Sequence, residues 1–263
     1  MRIIHFILLC SILILGMDGH KLYALSKWER TQTQAQSTDS INTKDVTFES
    51  EGIRLAGTIY YPKHPQAAVV LVHGSDSVPR MTETAELLAK NDILVLTYDK
   101  RGVGDSEGVY AGLEVGTNNI STENLNLLAK DASAAVHVIR QENKNLPMGL
   151  LGFSQAGWII PIAANENSQI EFMVLFSCPT ITTLEQLRFQ FYTNGNPDFW
   201  ENHTEEDAKH HTKNDPDRYQ FEATDPIETL NSLSIPGLWL FGEKDIQIPA
   251  KLCIENLNAL KTQ

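Results

Sequence analysis

At 263 residues, with 42% apolar side chains, the chain is long enough for one large α/β domain of ordinary globular composition. Its 21 Lys and Arg against 33 Asp and Glu leave a net charge of −12. That balance argues against a nucleic-acid partner, because a protein that grips phosphates needs clustered cations, and no basic run occurs.

The N-terminus differs from the rest. Met1-Arg2 precedes the apolar stretch Ile3–Gly16, so residues 1–24 are expected to be a signal peptide. The stretch is short for a membrane span, which needs about 20 apolar residues. Export to the periplasm or the outside follows, with an uncleaved N-terminal membrane anchor as the alternative. Cys10 suggests a lipoprotein signal, but Leu9 stands where a small residue is wanted. Residues 25–44 are polar, without apolar period, and read as a flexible linker. Residues 45–263 are the expected folded domain.

In that domain, Val46–Ser50 and Arg54–Tyr61 flank Glu51-Gly52 and predict a β-hairpin. Ala67–Val72 (AAVVLV) is continuously apolar, as expected of a strand buried on both faces of a parallel sheet. Met81–Lys90 is an amphipathic helix candidate, and Ile93–Tyr98 is the next strand. The glycine-rich turn Asp99–Gly108 follows. Ser121–Glu142 predicts a long helix capped by Ser121 or Thr122, with Leu125, Leu128, Ala132, Ala135, Val136 and Ile139 as its apolar stripe. Met148–Phe153 is a strand running into a tight turn and a helix that Pro161 is expected to kink. Phe172–Phe176 and Gly237–Phe241 are further strands, and Lys251–Leu260 a last helix. Strands alternating with helices imply a mainly parallel sheet covered on both faces, with ligands beyond the carboxyl ends of its strands.

Residues 180–234 break this pattern. They mix aromatics (Phe189, Phe191, Tyr192, Phe199, Trp200, Tyr219, Phe221) with many charges. The segment is too long for a plain connection and too aromatic for disorder, so a helical cap is expected. His203, His210 and His211 lie here. They could bind a metal, but a solvated helical face is the expectation. Cys178 and Cys253 could pair, but two buried free thiols are expected.

Gly152-Phe153-Ser154-Gln155-Ala156-Gly157 places a serine between small residues at a strand-to-helix turn. The segment resembles the G-x-S-x-G nucleophile elbow of the α/β-hydrolase superfamily, with Ala156 in place of the second glycine. Other segments strengthen the resemblance. AAVVLV ending in His73-Gly74-Ser75 is similar to the oxyanion loop. Asp99-x-Arg101-Gly102-x-Gly104-x-Ser106 is similar to a structural turn common in these hydrolases. Leu238–Asp245, followed by Ile248-Pro249, is similar to the strand-to-turn that delivers the triad acid.

The resemblance covers nearly everything from Val46 on and points to the serine carboxylesterase and serine aminopeptidase-like branch. It implies Ser154 as nucleophile, the amides of Ser75 and Gln155 as oxyanion donors, and Asp245 as triad acid, with Glu243 the weaker candidate. It implies no metal and no organic cofactor. The partner it implies is a small acyl ester. An aminopeptidase or thioesterase substrate, or a protein without turnover, are the alternatives.

A serine hydroxyl needs a neighbouring base. In this family the base is a histidine after the acid, and no histidine follows Asp245. His73 precedes the nucleophile and is expected to pack beside the oxyanion loop. The expectation is therefore a domain lacking its last strand and base. Service by a cap histidine such as His210 or His211 is the remote alternative.

Overall fold

The computed structural model describes residues 40–112 and 119–260. The expected signal peptide, Cys10 and most of the expected linker lie outside these residues.

β1 (Asn42–Ser50) and β2 (Ile53–Tyr61) form the expected antiparallel hairpin. Both turn residues are left-handed, Glu51 at φ 47° and Gly52 at 76°, as a two-residue turn matched to strand twist requires. β1 starts at Asn42, inside the stretch read as linker, because its pairing continues to Asn42 opposite Tyr61. Polarity alone hid this: the extra residues are exposed edge positions. β3 (Ala67–Val72) follows, then helix α1 (Thr82–Ala89), β4 (Ile93–Tyr98) and helix α2 (Thr122–Glu142). The side chain of Ser121 caps α2 by accepting from the Asn124 amide at 3.3 Å.

β5 (Met148–Phe153) leads into α3 (Ala156–Glu166), which runs on through Pro161. β6 (Phe172–Phe176) is followed by four helices within the expected cap segment. These are α4 (Thr183–Thr193), α5 (Phe199–Asn202), α6 (Glu205–Asn214) and α7 (Pro226–Leu230). β7 (Gly237–Leu240) and α8 (Ala250–Leu260) complete the described chain.

The seven strands form one sheet in the order β1-β2-β4-β3-β5-β6-β7. β3 to β7 run parallel, and the hairpin joins antiparallel through β2. Because strand side chains alternate, β3 feeds two cores. Val70 and Val72 pack with α2 and α3 on one face; Val69 and Leu71 pack with α1 on the other. Burial on both faces explains the unbroken apolar runs. The turns after β3, β4, β5, β6 and β7 all emerge at one end of the sheet, which brings their polar residues together. No helix of the described residues is long and apolar enough to cross a membrane.

Candidate active site

Ser154 sits at the top of β5 with φ 52°, a left-handed conformation that a non-glycine residue rarely adopts. The turn is held by its surroundings. The Ser154 amide donates to Phe176 O at 3.1 Å, and the Gly157 amide donates back to Ser154 O at 2.9 Å. A methyl group on Gly152 would overlap the Cβ of Ala156. One on Gly157 would lie 2.7 Å from the carbonyl oxygen of Pro179. Gly157 therefore provides the close chain approach on the helix side, and the methyl of Ala156 fits because Gly152 has none.

The loop after β3 lies against this elbow. A methyl built on Gly74 would be 3.6 Å from Ser154 Cβ. Ser75 is half-buried beside it, and Gln155 is buried at the start of α3. Among the described residues, the backbone N–H groups of Ser75 and Gln155 make no hydrogen bond. For Gln155 that is the normal state of a helix's first turn.

Beneath the two segments runs a polar network that the sequence did not disclose. Lys100 Nζ donates to Gly74 O at 2.7 Å, Ser75 O at 3.2 Å and Gln155 Oε1 at 3.2 Å. Tyr110 Oη donates to Ser75 O at 2.7 Å, and Asn119 Nδ2 to the same oxygen at 3.4 Å. Gln155 Nε2 donates to Asn119 O and Oδ1 at 2.8 and 3.0 Å. Ser75 and Gln155 were named from the sequence for their amides alone, and Lys100 fell at an unspecified position of the glycine-rich turn. Tyr110 and Asn119 are distant in sequence from both loops and carried no sequence signal.

The glycine-rich turn is a brace. Asp99 accepts from the Arg80 amide at 2.8 Å, the Arg80 guanidinium at 2.9 Å and the Asp105 amide at 3.0 Å. Burial works to raise its pKa, and these donors outweigh burial and hold it below the ordinary carboxylate value. Arg101 pairs with buried Asp131 of α2 through two bonds of 3.0 and 2.6 Å. Ser106 Oγ donates to Asp99 O at 2.7 Å and accepts from the Ala56 amide at 3.0 Å.

Asp245 lies at the same end of the sheet, in the turn after β7 and so two strands from β5. Its Oδ1 accepts from the amides of Gln247 and Ile248 at 2.7 and 2.9 Å. Trp200 of the helical segment donates to its main-chain oxygen at 3.0 Å, and Gln186 Nε2 donates to Gln247 O. Glu243 is exposed.

His73 is fully buried, edge-on to Tyr98 at 4.9 Å. Burial first, and then the Lys100 charge, push its pKa down to about 4, so it is neutral. Two of the three helical-segment histidines pack on aromatic rings where a solvated face was expected. His203 stacks on Phe199 at 4.3 Å and its Nδ1 bonds Phe199 O at 2.9 Å. His211 stacks on Tyr192 at 3.7 Å and its Nδ1 bonds Asp215 at 2.9 Å. His210 is exposed. Cys178 and Cys253 are both buried and free, as expected.

A family model described as "Serine aminopeptidase, S33" matches residues 63–226, well over half of the chain. Monoglyceride lipases of Rattus norvegicus and Mus musculus are 28% and 30% identical over 115 residues. That stretch is 43% of this chain and 35% of each lipase, so the match spans about a third of those relatives. Among solved structures, an esterase of Pyrococcus furiosus superposes with a TM-score of 0.58 at 18% identity, covering 84% of this chain and 79% of the esterase. The acylaminoacyl peptidase of Pyrococcus horikoshii gives 0.56 at 12% identity, covering 85% of this chain and 35% of the peptidase. At these identities the structural likenesses speak for the fold. The seven-stranded sheet with its antiparallel hairpin and the matched family model agree: this chain belongs to the S33 serine aminopeptidase-like family of α/β-hydrolases.

Proposed function

We propose that the protein hydrolyses small carboxylic esters through an acyl-enzyme on Ser154. The observation that carries this reading is the left-handed elbow at Ser154, pressed against a loop whose Ser75 amide, like that of Gln155, has no partner among the described residues. In the proposed reaction Ser154 Oγ attacks the ester carbonyl, and the two amides receive the negative charge that develops on its oxygen. The alcohol leaves with a proton, and water then cleaves the acyl-enzyme and restores the serine. Asp245 orients the histidine base, and residues 180–234 cover the acyl group. His137, His203, His211 and His210 bond Gln169, Phe199, Asp215 and Asn214 respectively, so none of these four is engaged with Ser154 or Asp245.

The names of the similar proteins, an esterase and two monoglyceride lipases, support an ester substrate. The family description favours an amide or peptide as the second reading, because fold and elbow do not fix the acyl leaving group. Rates on short p-nitrophenyl esters and on aminoacyl anilides separate the two: a preference for anilides overturns the esterase reading. A fluorophosphonate probe should label the full-length protein, and Ser154→Ala should abolish both labelling and turnover. An unlabelled wild-type protein would support a non-catalytic binding role. Export directed by residues 1–24 belongs to the same proposal. Fusing them to a reporter that is active only outside the cytoplasm tests it, and a silent fusion rejects it.

A further inference from the structure

Lys100 is only 3% exposed, and all three of its protons go to neutral oxygens of the two segments that flank Ser154. Among the described residues it has no salt-bridge partner within 4.0 Å, although a buried ammonium is costly without one. Its side chain also approaches the face of Tyr110, 5.3 Å from the ring centre. A neutral hydrogen-bond donor would tie these loops together at lower cost, so the charge itself invites an explanation.

Covalent geometry supplies one. Gly74 C=O and Ser75 N–H belong to a single planar peptide unit with delocalised electrons. A cation 2.7 Å from that oxygen draws electron density away from the nitrogen and strengthens the N–H as a donor. The same ammonium holds Gln155 Oε1, and Asn119 holds Gln155 Nε2. The residue carrying the second unpartnered amide is thus fixed through both polar atoms of its side-chain carboxamide.

We propose that Lys100 is a positioning residue of the oxyanion site: its ammonium clamps the loop after β3 to the start of α3 and polarises the Gly74–Ser75 peptide toward the acyl oxygen. This rests on the serine-hydrolase reading above. Among the described residues, the titratable groups that face Lys100 are Asp76 on the loop after β3, Tyr110 and His73. Asp76 favours its charge. Burial and Asp76 hold the Tyr110 phenol above its ordinary pKa, so it stays neutral, and His73 is neutral as well. Desolvation pushes the Lys100 pKa down to about 8. The clamp is therefore charged below that pH and lost above it.

The test compares wild type, Lys100→Met and Lys100→Arg in the full-length protein. Lys100→Met should lower kcat on a p-nitrophenyl ester by about 10- to 100-fold while KM moves less than about threefold. The wild-type rate should decline above about pH 8; Lys100→Met should lack that decline, and Lys100→Arg should recover rate at high pH because guanidinium stays charged. A residue with a merely structural role would change stability and leave the shape of the pH profile intact. That outcome, or a kcat within twofold of wild type, overturns the proposal.

A readout independent of turnover is the carbonyl carbon shift of Gly74 in the wild-type protein, followed by NMR. It should titrate with a midpoint near 8, the pKa given to Lys100; a flat line overturns the proposal even if Lys100→Met fails to fold. If the wild-type protein neither labels with fluorophosphonate nor turns over any ester or anilide, the hydrolase reading falls by itself. The carbonyl titration still decides whether the Lys100 ammonium holds and polarises the Gly74–Ser75 peptide.

Discussion

A neutral imidazole at His73 makes stability depend on pH. Its folded pKa of about 4 lies below the ordinary 6.5, so between these values the unfolded chain binds more protons than the folded one. The stabilisation is complete above about pH 6.5 and is lost as pH falls toward 4, by roughly 3 kcal/mol in all. Urea midpoints at about pH 7 and about pH 5 should therefore fall further in wild type than in His73→Phe. Equal falls would contradict the assignment. The elbow makes a second prediction. Gly152→Ala drives a methyl into the Ala156 Cβ and to 2.8 Å from Ile160 Cδ1, an overpacking that should cost about 1–3 kcal/mol. Adding Ala156→Gly should return part of that loss, because the overlapping methyl is gone. Additive effects in the double variant would show that the two sites do not touch.

Two connections between elements matter most for the site. Arg101 ties the glycine-rich turn to α2 through Asp131, whose side chain is fully buried. Asp131→Ala would leave a guanidinium unpaired in the interior and should cost about 3–5 kcal/mol in denaturant unfolding. Removing the half-exposed pair Lys209–Glu255 should cost under about 1 kcal/mol. If the two losses were equal, burial would not be what gives the inner pair its weight. The second connection runs from the helical segment to the turn after β7 that carries Asp245, through Trp200 and Gln186. Trp200→Phe keeps most of the ring packing against Phe189 and Phe199 and removes only the bond to Asp245 O. Under the proposed mechanism kcat should fall several-fold with little change in melting temperature. An unchanged kcat would mean that this segment does not act through the Asp245 turn.

Across the whole molecule, the interior is divided. Two large cores line the faces of the sheet, while Phe189, Phe199 and Ala208 form a small separate cluster with Tyr192, Trp200 and Ile246. Segments with few buried apolar partners open at lower free energy than the core. Hydrogen exchange should therefore be slowest in β3 and β5, which are paired on both sides and almost wholly buried. It should be faster in α5 and α6 and in β7, which is half-exposed and pairs only with β6 among the described residues. Protection of α6 equal to that of β5 would mean that the helical segment and the sheet open as one unit.

The sequence by itself determined the strands that are buried on both faces, because a continuous run such as AAVVLV has no other economical place in a soluble fold. β4, β5 and β6 were legible to the residue, and the α2 stripe to within one. The tight turn at Ser154 was legible because such a turn demands small residues at fixed local offsets, and such demands are written within six positions. Where β1 begins was not, since its outer residues are polar and only their pairing with β2 makes them strand. The stacking of His203 and His211 on Phe199 and Tyr192 was also beyond local reading. Only the tertiary structure decided what lies under the site. Lys100, Tyr110 and Asn119 come from the connection after β4 and Gln155 from the turn after β5, and they meet the loop after β3 because β3, β4 and β5 are neighbours that end at one edge of the sheet. Hydrogen bonds between distant turns leave no periodicity behind, so strand order, and no local pattern, set the charge beneath the Ser75 carbonyl.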